Sequence, residues 1–374
     1  MELSAEDSLR LNVLLANAEA VRIDEQNMVV YGLAGTAEAK VPLNPNCRPE
    51  EYLRRVREAL STAALGSPRG YPVFLQRWVR MGQIQNSPLE KLLMLGEPEA
   101  VVAVACAPGL TDELARRAWW AAPTPEVARF MLIREDVVRG AMGPVLANYL
   151  IEYLPFETEP VDMLNTVRLV LQPGLTDAAT RRRIWESGRH RHVYRVAFLE
   201  MLPDDLPEGQ PPRSDLERYR DVLETLSAAG NPIASVLVRT LDGRGQAFLW
   251  TGAEALQKPA NQDVCSALLN AIGRYFGAAR CFEGEAADIG ELTGRVDALC
   301  EQRRSEDVAQ VLAACPQLAP DVRAVLVLAH VSEALATHVF ARTDAVGTLL
   351  RRKLEPVIGP LLQQFTVLRS ARTP

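Results

Sequence analysis

The densest run of residues able to grip a charged or planar partner is 181–195, where Arg181, Arg182 and Arg183 precede Trp185, Arg189, His190, Arg191, His192, Tyr194 and Arg195. Guanidinium groups attract phosphates and acidic side chains, and indole or phenol rings offer faces on which bases stack. A smaller set repeats its beginning: Arg116, Arg117 and Trp120 stand at the spacings of Arg181, Arg182 and Trp185. Residues three and four apart on a helix touch, so a Trp flanked by two Arg is expected twice, a pair of surfaces for a protein, RNA or DNA partner. The competing reading has each Trp filling a seam between helices, with the Arg stems covering its edge.

Other groups carry weaker signals. Cys106 and Cys281 are the candidates for a reactive or sulfur-carrying thiol, a role that needs exposure and a cationic setting; Cys106 instead follows the apolar run Val101-Val102-Ala103-Val104-Ala105. His190 and His192 are two apart and diverge on a helix, while His330 and His338 are eight apart on one loose side. Glu283, Glu285, Asp288 and Glu291 read as an acidic helix start answering the dipole before they read as acid-base or Mg²⁺ groups. No phosphate loop, H-E-x-x-H, G-x-S-x-G or dinucleotide fingerprint occurs. No catalytic residue, metal or cofactor is expected.

The elements that must position these groups are read from a repeat. Pro108-Gly109-Leu110-Thr111-Asp112 returns as Pro173-Gly174-Leu175-Thr176-Asp177. Pro-Gly ends one helix, Thr111 or Thr176 caps the next, and the Asp meets its positive end. With Gly or Pro punctuating helices of ten to fifteen residues from 87 to 202, the pattern predicts a mainly α chain: an irregular HEAT-like helical repeat stack. A small N-terminal three-stranded β-meander is predicted from the runs 21–23, 28–31 and 39–43, after a helix over 4–18 capped by Ser4 with Leu9, Leu11, Val13, Leu14 and Leu15 on its apolar side. The expected organisation is an α+β region at 1–86, helical repeats at 87–202, a Pro-rich linker at 203–213 and a helical region at 214–374. Pro49 is expected to open a helix over 50–64, and Tyr71-Pro72 another. Residues 246–250 fit a strand or a helix start, 320–341 reads as one central buried helix, and Pro356 and Pro360 predict a kink or break in the last helix.

Composition sets bounds. The 374 residues suffice for two or three domains, and 48% apolar with 24% charged residues is ordinary for a soluble globular protein. A net charge of −6 argues against a chain that coats nucleic acid generally. The six scattered cysteines, with no Cys-x-x-Cys, suit free thiols in a reducing compartment, and the acidic start Met1-Glu2-Leu3-Ser4-Ala5-Glu6-Asp7 is unlike a secretory leader. The apolar run 324–341 carries too many polar residues for a bilayer span. Cytoplasmic residence follows as the expectation.

Local segments carry a resemblance. Leu9-Arg10-Leu11-Asn12-Val13-Leu14-Leu15, Ala39-Lys40-Val41-Pro42-Leu43-Asn44-Pro45-Asn46, Gly70-Tyr71-Pro72-Val73-Phe74-Leu75-Gln76-Arg77-Trp78, and Leu95-Gly96-Glu97-Pro98-Glu99-Ala100-Val101-Val102 continuing into the first pentapeptide resemble the DsrS proteins, encoded with the reverse dissimilatory sulfite reductase of sulfur-oxidising bacteria. The resemblance implies a cytoplasmic accessory or regulatory role in sulfur oxidation and no catalytic residue. A non-enzymatic helical interaction protein is therefore the expected function. A nucleic-acid-binding regulator using 181–195 is the first alternative, and a thiol-based carrier or enzyme using Cys106 or Cys281 the second.

Overall fold

The structure is a computed structural model and describes residues 3–66, 89–302, 305–341 and 346–372. The helix expected from Tyr71-Pro72 lies outside these residues. The described chain is mainly helical, with twenty α-helices and one small antiparallel sheet near its start. Its contacts divide it into two units, Met1–Pro155 with Gln172–Thr176, and Phe156–Leu171 with Asp177–Pro374.

The first unit begins with α1 (Ala5–Asn17), β1 (Ala20–Asp24), β2 (Val29–Ala34), β3 (Ala37–Pro42) and α2 (Pro49–Leu65). Ser4 caps α1 by accepting from the Asp7 amide at 3.1 Å, and Pro49 opens α2 where its missing N–H is harmless. The strands pair in the order β1-β2-β3, with Arg22 opposite Tyr31 and Tyr31 opposite Lys40. The alternation of side chains puts Val21, Val30 and Val41 on one face, where they form a core with Leu11 and Leu14 of α1 and Tyr52, Val56 and Leu60 of α2. A Cβ at Gly32 would stand 2.8 Å from Leu14 Cδ2, so the bare glycine is what lets α1 lie close on the sheet.

Asp7 fastens these pieces together. Fully buried, it accepts from the Asn44 amide at 2.8 Å, from Asn44 Nδ2 at 3.3 Å and from the Tyr52 hydroxyl. Burial alone would push its pKa up, but the Tyr52 and Asn44 hydrogen bonds outweigh that and hold it below the usual carboxylate value.

The rest of the unit is helical: α3 (Leu89–Leu92), α4 (Pro98–Cys106), α5 (Asp112–Ala121), α6 (Pro125–Met131), α7 (Glu135–Arg139) and α8 (Met142–Tyr153). Here α4 packs on α6 and α6 on α8, while α5 touches all three as well as β1, the skip-one stacking expected of repeated helical hairpins.

The second unit contains α9 (Pro160–Val170), α10 (Ala178–Ser187), α11 (His192–Met201), α12 (Leu216–Ala228), α13 (Pro232–Leu241), α14 (Gly243–Leu256), α15 (Gln262–Phe276), α16 (Ile289–Glu301), α17 (Glu306–Ala314), α18 (Ala319–Ala329), α19 (Ala334–Phe340) and α20 (Gly347–Arg369). Its centre is built by α14, α15 and α18, whose residues are buried on most sides. Phe248 stacks on Tyr275 at 3.8 Å between centroids and meets Phe276 edge-on.

Four expectations are resolved here. Residues 246–250 belong to helix α14, the second of the two readings their sequence allowed. The helix expected over 320–341 is two helices, α18 and α19, bent by 60° at His330–Glu333. The bend is built in: the Glu333 amide donates to Asn270 Oδ1 at 3.0 Å, and Val331 O approaches α15 so closely that a Cβ at Gly273 would stand 1.9 Å from it. Pro356 and Pro360, conversely, do not break α20. Pro356 is exposed and Pro360 half-exposed, so the carbonyls they leave unbonded reach water, while Leu354, Val357, Leu361 and Phe365 pack the other side.

The fourth concerns 203–213. It has no helix or strand, but the contacts do not divide the chain there. Arg239 grips Asp204 with two hydrogen bonds of 2.7 and 2.6 Å, and the Arg213 amide donates to Leu241 O at 2.9 Å. Proline and low apolarity describe an irregular strap on the second unit, not a hinge.

That strap ends in a buried charge network. Arg213 donates to both oxygens of Asp215, at 2.6 and 3.1 Å, and to Asp321 Oδ1 at 2.6 Å. Arg372 donates to Asp321 from Nε and Nη2, at 2.8 and 3.0 Å, and through its amide to Asp215 Oδ2 at 2.7 Å. Two cations and two anions thus balance, with Arg213, Asp215 and Asp321 buried and Arg372 partly exposed.

Candidate interaction surfaces

The two pentapeptides start helices differently. In the first, Thr111 accepts from the Leu114 amide at 3.3 Å and caps α5. Asp112 then reaches away to accept from the Ala141 and Met142 amides, at 3.0 and 2.9 Å, so it caps α8 instead. In the second, the cap is Asp177, which accepts from Thr180 N at 2.7 Å, so Thr176 does not take the role expected of it. That hydrogen bond also lowers the Asp177 pKa. Leu110 and Leu175 are both buried, which is what the copies share.

The repeated Trp-Arg sets lie in different units and neither is an open stacking platform. Trp120 is half-buried against the outer face of the meander: its indole N–H donates to Glu38 Oε2 at 3.0 Å, and the Arg22 guanidinium lies 4.9 Å from its ring and 4.8 Å from that of Tyr31. Trp185 is buried, donates to Glu208 Oε2 at 3.2 Å, meets Phe198 edge-on at 5.2 Å and lies 4.7 Å from the Arg195 guanidinium. The Arg on each indole is therefore a distant residue, not one of the adjacent pair, and the expected presentation of a Trp between two adjacent Arg is not what the fold builds.

The arginines divide accordingly. Arg116 and Arg117 both donate to Glu113, at 2.6 and 2.8 Å, and Arg116 also to Gly35 O at 2.9 Å. Arg116, then Arg117, draws the Glu113 carboxyl down to about 2. Arg195 is buried and paired with Glu254 at 2.7 Å, Arg181 pairs with Asp205 at 3.7 Å, and Arg191 donates to the Tyr194 hydroxyl at 2.9 Å. Arg182, Arg183 and Arg189 point to solvent, with His190 beside them. The basic segment thus spends much of its charge inside its own unit.

Cys281 is set for low reactivity. Burial, then the neighbouring Cys300 thiol, raises Cys281 to about 11. Cys281 also lends its amide, with that of Phe282, to His330 Nε2 at 3.4 Å each. Cys106 ends α4, and its carbonyl accepts from Arg134 at 2.5 Å.

A different surface emerges in the first unit. A groove of about 640 Å³ lies between α1 and the β2–β3 side of the sheet. Leu9 and Val13 line it and are 66% and 59% exposed, although sequence patterning had placed both on the buried side of α1. Beside them are Val41, Pro42 and the small side chains of Ala34 and Ala39. Arg10 and Lys40 are its charged lining residues, and no carboxylate is among the lining residues. Arg10 is paired with Glu6 at 2.5 Å, whereas Lys40 has no ion pair among the described residues. Among the described residues, strand β3 pairs only with β2, and its other edge lies unpaired next to the groove.

Comparison with family models, curated proteins and solved structures finds no match to this chain.

Proposed function

We propose that the protein is a non-enzymatic binding protein that takes an extended, apolar segment of a partner protein against the edge of β3. The single supporting observation is the groove: large exposed apolar side chains, a strand edge unpaired among the described residues and the Lys40 ammonium lie together in one place. Main-chain hydrogen bonds to β3 would supply affinity, and alternate side chains of the added strand would meet Leu9 and Val13. The lining favours a partner segment with acidic flanks. The resemblance to the DsrS proteins supports placing this binding role in the cytoplasm, as an accessory or regulatory part of bacterial sulfur oxidation.

The test is retention of partner protein by immobilised wild type and by Leu9→Glu with Val13→Glu. The double variant should lose retention while keeping its helical circular dichroism. Unchanged retention overturns the reading, and a concentration-dependent dimer abolished by the variant would make the occupant a second copy of this chain.

A nucleic-acid-binding role keeps one supporting observation, the exposure of Arg182, Arg183 and Arg189. Neutralising these three should lower retention of RNA at low salt if that role is real. The thiol-carrier role draws no support from Cys281, whose raised pKa leaves little thiolate near neutrality.

A further inference from the structure

The second unit carries an open cleft of about 460 Å³ between the end of the 203–213 strap, α14 and the last turn of α20. Pro211, Pro212, Ser214, Gln246, Trp250 and Arg369 form its working surface, and no carboxylate lines it among the described residues. Three observations set it apart.

The first is Trp250, which is 44% exposed on α14. The Trp120 and Trp185 indoles are tethered through N–H bonds to glutamates, and Trp119 rests edge-on against Tyr149 at 4.7 Å. Trp250 has no hydrogen-bond or ring partner among the described residues; its one neighbour of note is the Arg369 guanidinium, 4.2 Å from the ring centroid. The second is Arg369 itself. Arg213 and Arg372 close by are both consumed by Asp215 and Asp321, but Arg369 has no ion pair among the described residues, so its charge is available at the cleft. The third is Gln246, which is 8% exposed yet lines the cleft. Its Nε2 is committed to Thr240 O at 3.0 Å and Leu368 O at 3.3 Å, so the group it has left for a ligand is the carbonyl oxygen.

A stacking plane, an unneutralised guanidinium and a fixed acceptor in a site of this size match one chemical class. We propose that the cleft binds a nucleoside phosphate. The base stacks on the Trp250–Arg369 pair, Gln246 Oε1 accepts an N–H from the base edge, and Arg369 with the Ser214 hydroxyl holds the phosphate. This site is independent of the β3 groove, and either can fail without the other.

The test is calorimetric titration of the full chain with AMP and GMP, with inorganic phosphate and adenosine as separate titrants. Saturable binding of AMP or GMP below about 1 mM, tighter than phosphate or adenosine alone, is the expected result. Arg369→Gln and Trp250→Leu, both at the surface, should each weaken it roughly tenfold or more with unchanged thermal melting. No saturation by either nucleotide, phosphate binding as tightly as AMP, binding only of a longer RNA, or full affinity in both variants overturns the proposal.

Discussion

At the scale of single residues, two buried titratable groups give the fold its pH response. Asp7 has a folded pKa below its unfolded one, so its contribution is complete above about pH 4 and is lost as pH falls through the lower folded value. Asp7→Asn should destabilise the first unit by about 1–3 kcal/mol near neutrality and flatten its acid unfolding curve, as read by denaturant titration across pH. His330 works in the other direction. Its ring stacks on Phe282 at 3.7 Å, its Nδ1 donates to Leu326 O at 2.9 Å, and two amides point at Nε2, which must therefore stay unprotonated. Burial lowers its pKa, with Arg280 and Arg295 adding to the shift, so stability is complete above about pH 6.5 and declines as pH falls below it. Protection of the Cys281 and Phe282 amides against hydrogen exchange, taken relative to the intrinsic rate at each pH, should fall between about pH 7 and 5; equal protection at both would refute this. None of this was legible beforehand, because Asn44 and Tyr52 lie 37 and 45 positions from Asp7, and Cys281 and Phe282 lie 49 and 48 from His330.

At the scale of elements, local signals read well where their cause is local. Ser4, Pro49 and Thr111 open helices at the expected places because a cap is a matter of three or four neighbouring residues. The meander was legible for the same reason. The apolar side of α1 was misjudged, although the helical period already separates its residues: Leu9 and Val13 lie about 160° round the helix from Leu11, the buried residue. The bend at 330–333 had no local signal at all, since it depends on a glycine three helices earlier. Gly273→Ala should therefore cost about 3 kcal/mol or more, because the obstructing atom is main chain and cannot swing aside. A melting temperature within experimental error of wild type would contradict that account. Asp321→Asn should cost about 3–5 kcal/mol by leaving Arg213 and Arg372 short of countercharge, measurable by chemical denaturation.

At the scale of the whole molecule, the repeat was legible and its meaning was not. Two pentapeptides of identical sequence announce helices, but Asp112 and Asp177 spend their side chains on different amides, and the two tryptophans are packed in different units. The chain also enters the second unit at Phe156 and returns for Gln172–Thr176, where Gln172 Nε2 donates to Leu132 O at 2.9 Å. Fragments cut at 202/203 should consequently fold poorly, since that cut takes α9, α10 and α11 from their own unit, whereas a cut at 176/177 should leave a first piece with cooperative unfolding. Soluble, cooperatively folding halves from the 202/203 cut would overturn the division. The staple made by Arg372 carries a last consequence. A protease that cut the chain between Ser370 and Ala371 would loosen the hold of Arg372 on Asp321, so a single nick at the surface would be felt in the interior as an electrical fault, and nicked molecules should be the ones that quality-control proteases clear first.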